Sequence, residues 1–152
     1  MNKNTNLFEV AEVSVTYKNK VPTGKKYKIV SSQDIYTLMR PIFQDVINHH
    51  EEFYIILLNS GNCVLGVSKI AQGGIAETSV DVRIIFQTAL KANATSIILA
   101  HNHPSGNLTP SWQDRDLTKK IVNAGKLINI TVLDHLIITD SGYYSFADEG
   151  VM

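Results

Sequence analysis

Residues 53–59 read FYIILLN, an uninterrupted apolar run of strand length, and CVLGVSKIA (63–71) follows as its hairpin partner across Ser60-Gly61-Asn62. TSIILAH (95–101) predicts a second buried strand, ITVLDHLII (130–138) another, and YYSF a short last strand after a turn at Ser141-Gly142. Between these runs the spacing becomes helical. Ser31 or Ser32 can cap a helix through DIYTLMRPIFQDVI, bent or restarted near Pro41. Gly73-Gly74 end the hairpin, and Thr78 with Asp81 resembles a capping box opening a helix, DVRIIFQTALKAN. Ser111 begins a third helix, WQDRDLTKKIVNAGKLI. Upstream, FEVAEVSVTY (8–17) alternates as a half-exposed strand does, and a lysine-rich turn punctuated by Pro22 and Gly24 runs from Lys18 to Lys28. Strands alternating with helices predict the α/β class, a mixed sheet with helices packed on both sides. The expected organisation is one domain over 1–152, with the strand and lysine turn in 1–30 and the core in 31–152.

Composition narrows this picture by exclusion. A chain of 152 residues fits a single core, and 44% hydrophobic with 18% charged residues is an ordinary globular mix. Fourteen basic residues balance fourteen acidic ones, so no net field draws the molecule to nucleic acid or anionic lipid. The lone Cys63 excludes an internal disulfide and a cysteine-rich zinc cluster, which makes a reducing compartment the default. The N-terminus, MNKNTNLFEV, lacks the apolar core of a signal peptide, and no run approaches the roughly 20 residues of a membrane span. A soluble, cytoplasmic protein with no membrane partner is expected; its oligomeric state is left open.

The segment HNHPSGNLTPSWQD (101–114) carries the chemistry. His101 and His103 are two apart at the end of a strand, where i and i+2 share a face, so both imidazoles can converge on one ion. Asp114 falls in the first turn of the next helix, returned to the strand end by a short loop. Two imidazole nitrogens and one carboxylate oxygen suit Zn²⁺ with a fourth tetrahedral position for water. The competing readings are structural. Ser111 and Asp114 can form an ordinary helix cap, and the histidines can be loop residues satisfied by backbone groups. Asp134-His135 reads as a structural pair at a strand end or as support behind the ligands.

The string H-x-H, seven residues, S-x-x-D, with ILAHNHPSGNLTPS around it, VLDHLII (132–138) and YYSFADEG (143–150), resembles the RadC branch of the JAMM/MPN+ metalloprotease family from about Ser32 onward. The resemblance implies a JAMM/MPN-like fold related in layout to cytidine deaminases, one zinc per chain on His101, His103 and Asp114, and hydrolysis of an amide or isopeptide bond. It also implies an upstream glutamate as general acid/base. Glu51, followed by Phe53, is favoured over Glu52 for that role; at least one of the two is expected at a solvated helix end. Ser111 corresponds to the serine that steadies the oxyanion. The substrate it implies is a peptide or protein of unknown identity.

Three lookalikes fall away. The consecutive letters HNH are not the dispersed triad of that nuclease class, one cysteine excludes the Pro-Cys-x-x-Cys of zinc deaminases, and HExxH is absent. The family carries a DNA-repair label and usually an N-terminal helix-hairpin-helix region, which is not visible here. Lys18, Lys20, Lys25, Lys26 and Lys28 form the only basic cluster and read as a solvated turn. Weak or no DNA binding by the chain alone is expected. The alternatives are a recombination- or repair-associated binding module, and a metal-dependent nuclease using the same residues.

Overall fold

A computed structural model describes residues 13–18, 20–73 and 79–152. Five strands, β1 (Glu52–Leu58), β2 (Val64–Gln72), β3 (Ser96–Asn102), β4 (Thr131–Ile138) and β5 (Tyr143–Ser145), form one sheet in the order β2-β1-β3-β4-β5. Only β3 and β4 run parallel; the other neighbours are antiparallel. Helices α1 (Ser32–Met39), α2 (Val82–Lys91) and α3 (Trp112–Leu127) complete the α/β domain.

The apolar runs in β1 and β3 are continuous because both faces of the sheet are covered. Phe53, Ile55, Leu57, Ile97 and Leu99 join Ile85, Phe86 and Ile121 in the core under α2 and α3. Ile56, Leu58, Ile98 and Ala100 face the other way and pack with Ile35, Met39 and Phe43. The pleat therefore assigns odd positions of β1 and β3 to the α2/α3 face and even positions to the α1 face. His101 is odd and Asn102 even, so consecutive residues serve opposite sides of the sheet.

Local departures from the sequence reading have physical causes. Ser31 caps α1, with its N–H donated to the Asp34 carboxylate at 2.9 Å. The helix ends at Met39 rather than bending onward: Arg40 keeps the α conformation and bonds Tyr36 O at 2.8 Å, but Pro41 has no N–H to continue the ladder. Residues 40–49 continue as successive turns, with Ile42 N bonded to Met39 O and Val46 N to Phe43 O, both 3.0 Å. Asp81 is the N-cap of α2, accepting from Arg83 N at 2.9 Å. Thr78, its expected partner, lies outside the described residues, as does the 8–12 part of the expected first strand. The described remainder, Val13 to Tyr17, forms no strand and is exposed. Residues 27–29 instead meet the start of β2: Lys28 bridges Cys63, and Val64 N donates to Tyr27 O at 2.7 Å. Gly125 marks the closest approach of α3 to the chain entering β4, where any Cβ would run into the Ile130 carbonyl. No described helix is long and apolar enough to cross a membrane.

Candidate metal centre

β3 delivers His101 to the α2/α3 face, and His103 follows one residue beyond the strand end. The turn after it returns the chain: Gly106 N donates to His103 O at 3.0 Å, with Gly106 at φ 79°, a conformation that costs glycine little. The carbonyl of Asn107 thereby reaches His103 Nδ1 at 2.6 Å. Ser111 then caps α3. Its Oγ accepts from Asp114 N at 3.0 Å, and its own N–H donates to Asp114 Oδ2 at 2.7 Å. Capping does not compete with the site but aims the carboxylate. Asp114 Oδ1 lies 3.2 Å from His101 Nε2 and Oδ2 lies 3.3 Å from His103 Nε2, while the two Nε2 atoms are 2.9 Å apart. One nitrogen or oxygen from each of the three residues falls within 4.8 Å of the others, and the cluster can hold a metal ion. Two borderline-soft imidazoles and a hard carboxylate are a donor set that fits zinc.

Charge follows the contacts. Burial alone raises the Asp114 pKa, but hydrogen bonds from His101 and His103 outweigh it and hold the carboxyl far below the usual range. At His103 burial favours the neutral ring, yet the Asp114 hydrogen bond and the Asn107 carbonyl prevail and raise its pKa. Behind His101 sits His135, fully buried, its Nε2 at 2.8 Å from His101 Nδ1 and its Nδ1 at 2.6 Å from the hydroxyl of Thr118. Burial, with the neighbouring His101 adding to it, pushes His135 well below the ordinary imidazole value. Phe53 stacks on His101 at 5.8 Å and Phe146 on His135 at 4.7 Å.

In front of the ligands lies an open cleft of about 840 Å³, lined by Glu51, Phe53, His103, Ser111 and Asp114 together with Ser105, Asn107 and Thr109. Glu51 precedes β1, whose Phe53 pairs with His101, and its Oε1 stands 4.0 Å from His101 Nε2. A family model described as a RadC-like JAB domain matches residues 29–151.

The chain belongs to the RadC-like JAB domain family. A UPF0758 protein of Flavobacterium johnsoniae is 50% identical over 127 residues, covering 84% of this chain and 55% of the relative. Another from Porphyromonas gingivalis is 41% identical over 129 residues, 84% of this chain and 56% of the relative. A third, from Symbiobacterium thermophilum, is 45% identical over 102 residues, 67% and 44% respectively. The chain thus spans about half the length of the curated relatives it matches.

In this RadC-like domain the remaining singled-out residues part company. Glu52 is one residue along β1 and faces away from the ligands, 4% exposed. It accepts from Lys69 Nζ at 2.9 Å and Tyr54 OH at 2.8 Å, and His50 Nε2 lies 3.1 Å away. Neither glutamate ends a solvated helix: Glu52 is buried, Glu51 is half-buried at the cleft, and turns rather than a helix precede them. Burial raises the Glu52 pKa, but the Lys69 and Tyr54 hydrogen bonds overcome it and hold it below the ordinary value of 4.5. Burial and the bond to Glu52 push Tyr54 up to about 12. A carboxylate with a depressed folded pKa stabilises the fold above its unfolded pKa, and that contribution is lost as pH falls through the folded value. Glu52→Gln is therefore expected to lower stability near neutrality by about 1–3 kcal/mol. The gap from the parent closes below about pH 4. Urea midpoints at pH 7 and in the acid range check this; a gap that persists unchanged in acid would remove the carboxylate's charge from the account.

Asp134 bonds Ser145 Oγ at 2.6 Å, Ala147 N at 2.9 Å and His135 N at 2.7 Å, so it fixes the turn that carries Phe146, whereas His135 touches a candidate ligand directly. Sequence reasoning missed Thr118 and Asn102. Asn102 is fully buried, accepts from Glu52 N at 2.8 Å and donates to the His50 carbonyl at 2.9 Å, tying the Glu51 segment to the ligand strand. The position of Thr118 four residues after Asp114, hence on the same helix face, was its one available signal.

Proposed function

We propose that this domain is a zinc-dependent hydrolase of amide or isopeptide bonds, with His101, His103 and Asp114 holding the ion. The observation that carries the reading is the approach of Glu51 to those three residues at the wall of an open cleft. Zinc bound there supplies Lewis-acid activation of water and of the scissile carbonyl. The chain's own groups do the rest. Glu51, beside the reacting centre, accepts the proton of the attacking water and returns it to the departing amine. Ser111 Oγ already accepts from Asp114 N, and its hydroxyl proton can be donated into the cleft toward the developing oxyanion. Phe53 closes the floor against His101 and limits water to the cleft side.

The cleft's chemistry favours an amide over a phosphodiester. Its described lining holds Glu51 and Asp114 and no lysine or arginine to meet a phosphate. The test is incubation of zinc-loaded protein with a lysine-branched isopeptide, linear peptides, and single- and double-stranded DNA, each with chelator and after zinc is restored. Chelator-sensitive amide cleavage is expected; chelator-sensitive DNA cleavage without it would replace the peptidase by the nuclease.

DNA affinity is a separate prediction. The formal net charge is zero, and Arg115, Lys119, Lys120 and Lys126 on α3 share it with Asp114 and Asp116. Duplex DNA is expected to bind no tighter than about 10⁻⁴ to 10⁻⁶ M at physiological salt, as measured by fluorescence anisotropy. Sub-micromolar binding lost when Lys18, Lys20, Lys25, Lys26 and Lys28 become Ala would promote the DNA-processing readings.

A further inference from the structure

We infer that Thr118 and His135 are positioning residues that fix the ring-proton placement of His101 so that its Nε2 lone pair faces the ion. The inference rests on the metal site proposed above and follows from counting protons. Thr118 Oγ1 lies 2.6 Å from the Asp114 carbonyl oxygen and 2.6 Å from His135 Nδ1. A hydroxyl has one proton and a carbonyl only accepts, so that proton goes to Asp114. The oxygen then offers a lone pair to His135, and Nδ1 of His135 must carry the hydrogen.

The next link is decided by burial. His135 is fully buried between the rings of Phe53, Phe146 and His101, and among the described residues its ring nitrogens touch no carboxylate. A second ring proton there would be a buried charge with no ionic partner, so Nε2 is left as an acceptor. It lies 2.8 Å from His101 Nδ1, which must then donate. Once the Nε2 proton shared with Asp114 is given up to make way for an ion, a His101 that keeps its proton on Nδ1 presents Nε2 bare on the side of Asp114 and His103. His103 reaches the same state by a shorter route, because its Nδ1 meets the Asn107 carbonyl at 2.6 Å and must donate. Reversing the direction at Thr118 would put two acceptors face to face and turn the His101 lone pair away from the ion. The chain Asp114 C=O, Thr118 O–H, His135, His101 begins and ends within one site: the helix that supplies the carboxylate also orients the imidazole beside it. An outer partner of this kind is typically worth about 10- to 100-fold in metal affinity.

Two readouts test it without any substrate. Long-range ¹H–¹⁵N imidazole spectra of the full chain, zinc-free and zinc-loaded, assign each ring proton; His135 is expected neutral with its proton on Nδ1 in both. Zinc affinity by competition with a chromophoric chelator is expected to fall about 10- to 100-fold in Thr118→Val and to recover in Thr118→Ser. Circular dichroism and thermal melting confirm that both variants fold; where Thr118→Val does not, the His135 spectrum decides. A His135 proton on Nε2, a doubly protonated ring, or equal zinc affinity in folded Thr118→Val would overturn the inference. A wild type that binds no zinc yet shows His135 protonated on Nδ1 would instead sink the metal reading and leave the proton chain standing.

Discussion

Glu51→Gln is expected to retain zinc and fold while lowering hydrolysis of an amide substrate by about 100- to 10,000-fold. The substitution keeps the size of the side chain and removes its capacity to take a proton. Glu51 Oε1 stands 4.0 Å from His101 Nε2, beside the candidate ligands but outside the set of three that share one cluster. Loss of turnover without loss of metal is the pattern of a proton carrier, whereas loss of both would make Glu51 a ligand. Its neighbour supplies the control. Glu52→Gln changes the same functional group one residue on, but that side chain points to the α1 face, bonded to Lys69 and Tyr54. It is expected to lower stability and leave metal content unchanged. Zinc per chain, melting temperature and turnover on one cleaved peptide separate the two; unchanged turnover in Glu51→Gln would end the general-base assignment.

The distinction between Glu51 and Glu52 shows what a sequence can carry. The period of a strand says that neighbours face opposite ways, and a Glu-x-Phe resemblance pointed to Glu51; which face holds the ligands follows only once Phe53 is seen opposite His101. Strands β1 and β3 were legible because both faces of the sheet are buried and their apolar runs are nearly unbroken; β4 was legible from the apolar residues on either side of Asp134-His135. His101, His103 and Asp114 were legible because strand period and helix capping are local rules. The first strand expected upstream has no such support. Its alternation at Val13 and Val15 is real, but both side chains are exposed, so the pattern has no core to face. The helix expected through Pro41 stops for a local reason, the missing N–H of that proline, yet Phe43 and Ile47 stay buried because the following turns keep their apolar faces inward. Thr118 and His135 were the hardest to read as a pair. They are seventeen residues apart and meet only because β4 lies parallel to β3 with Leu99 opposite His135, beneath α3.

Removing the imidazoles is expected to abolish metal binding. Protein purified without chelator should carry about one zinc per chain, and His101→Ala/His103→Ala essentially none. The double variant opens space beside a buried His135 and strips it of its Nε2 partner, so lost metal has to be told apart from lost fold. Asp114→Asn resolves the ambiguity. An asparagine can still accept the Ser111 N–H and hold the helix cap, while the negative charge between His101 and His103 is gone. It is expected to fold, melting below the metal-free parent because the depressed Asp114 carboxyl stabilises the zinc-free fold, and to bind zinc much more weakly. Linkage supplies the second readout: zinc at about 1,000 times its dissociation constant stabilises a folded site by about 4 kcal/mol. The parent should therefore gain a large increase in melting temperature on adding zinc, the double variant none, and Asp114→Asn a small one. The ligands must be unprotonated to bind, so this gain shrinks as pH falls through the imidazole range, protons displacing metal. Elemental analysis and melting curves with and without zinc are enough to decide. Equal zinc in the parent and in folded His101→Ala/His103→Ala would remove the metal centre, and with it the hydrolytic role proposed for Glu51.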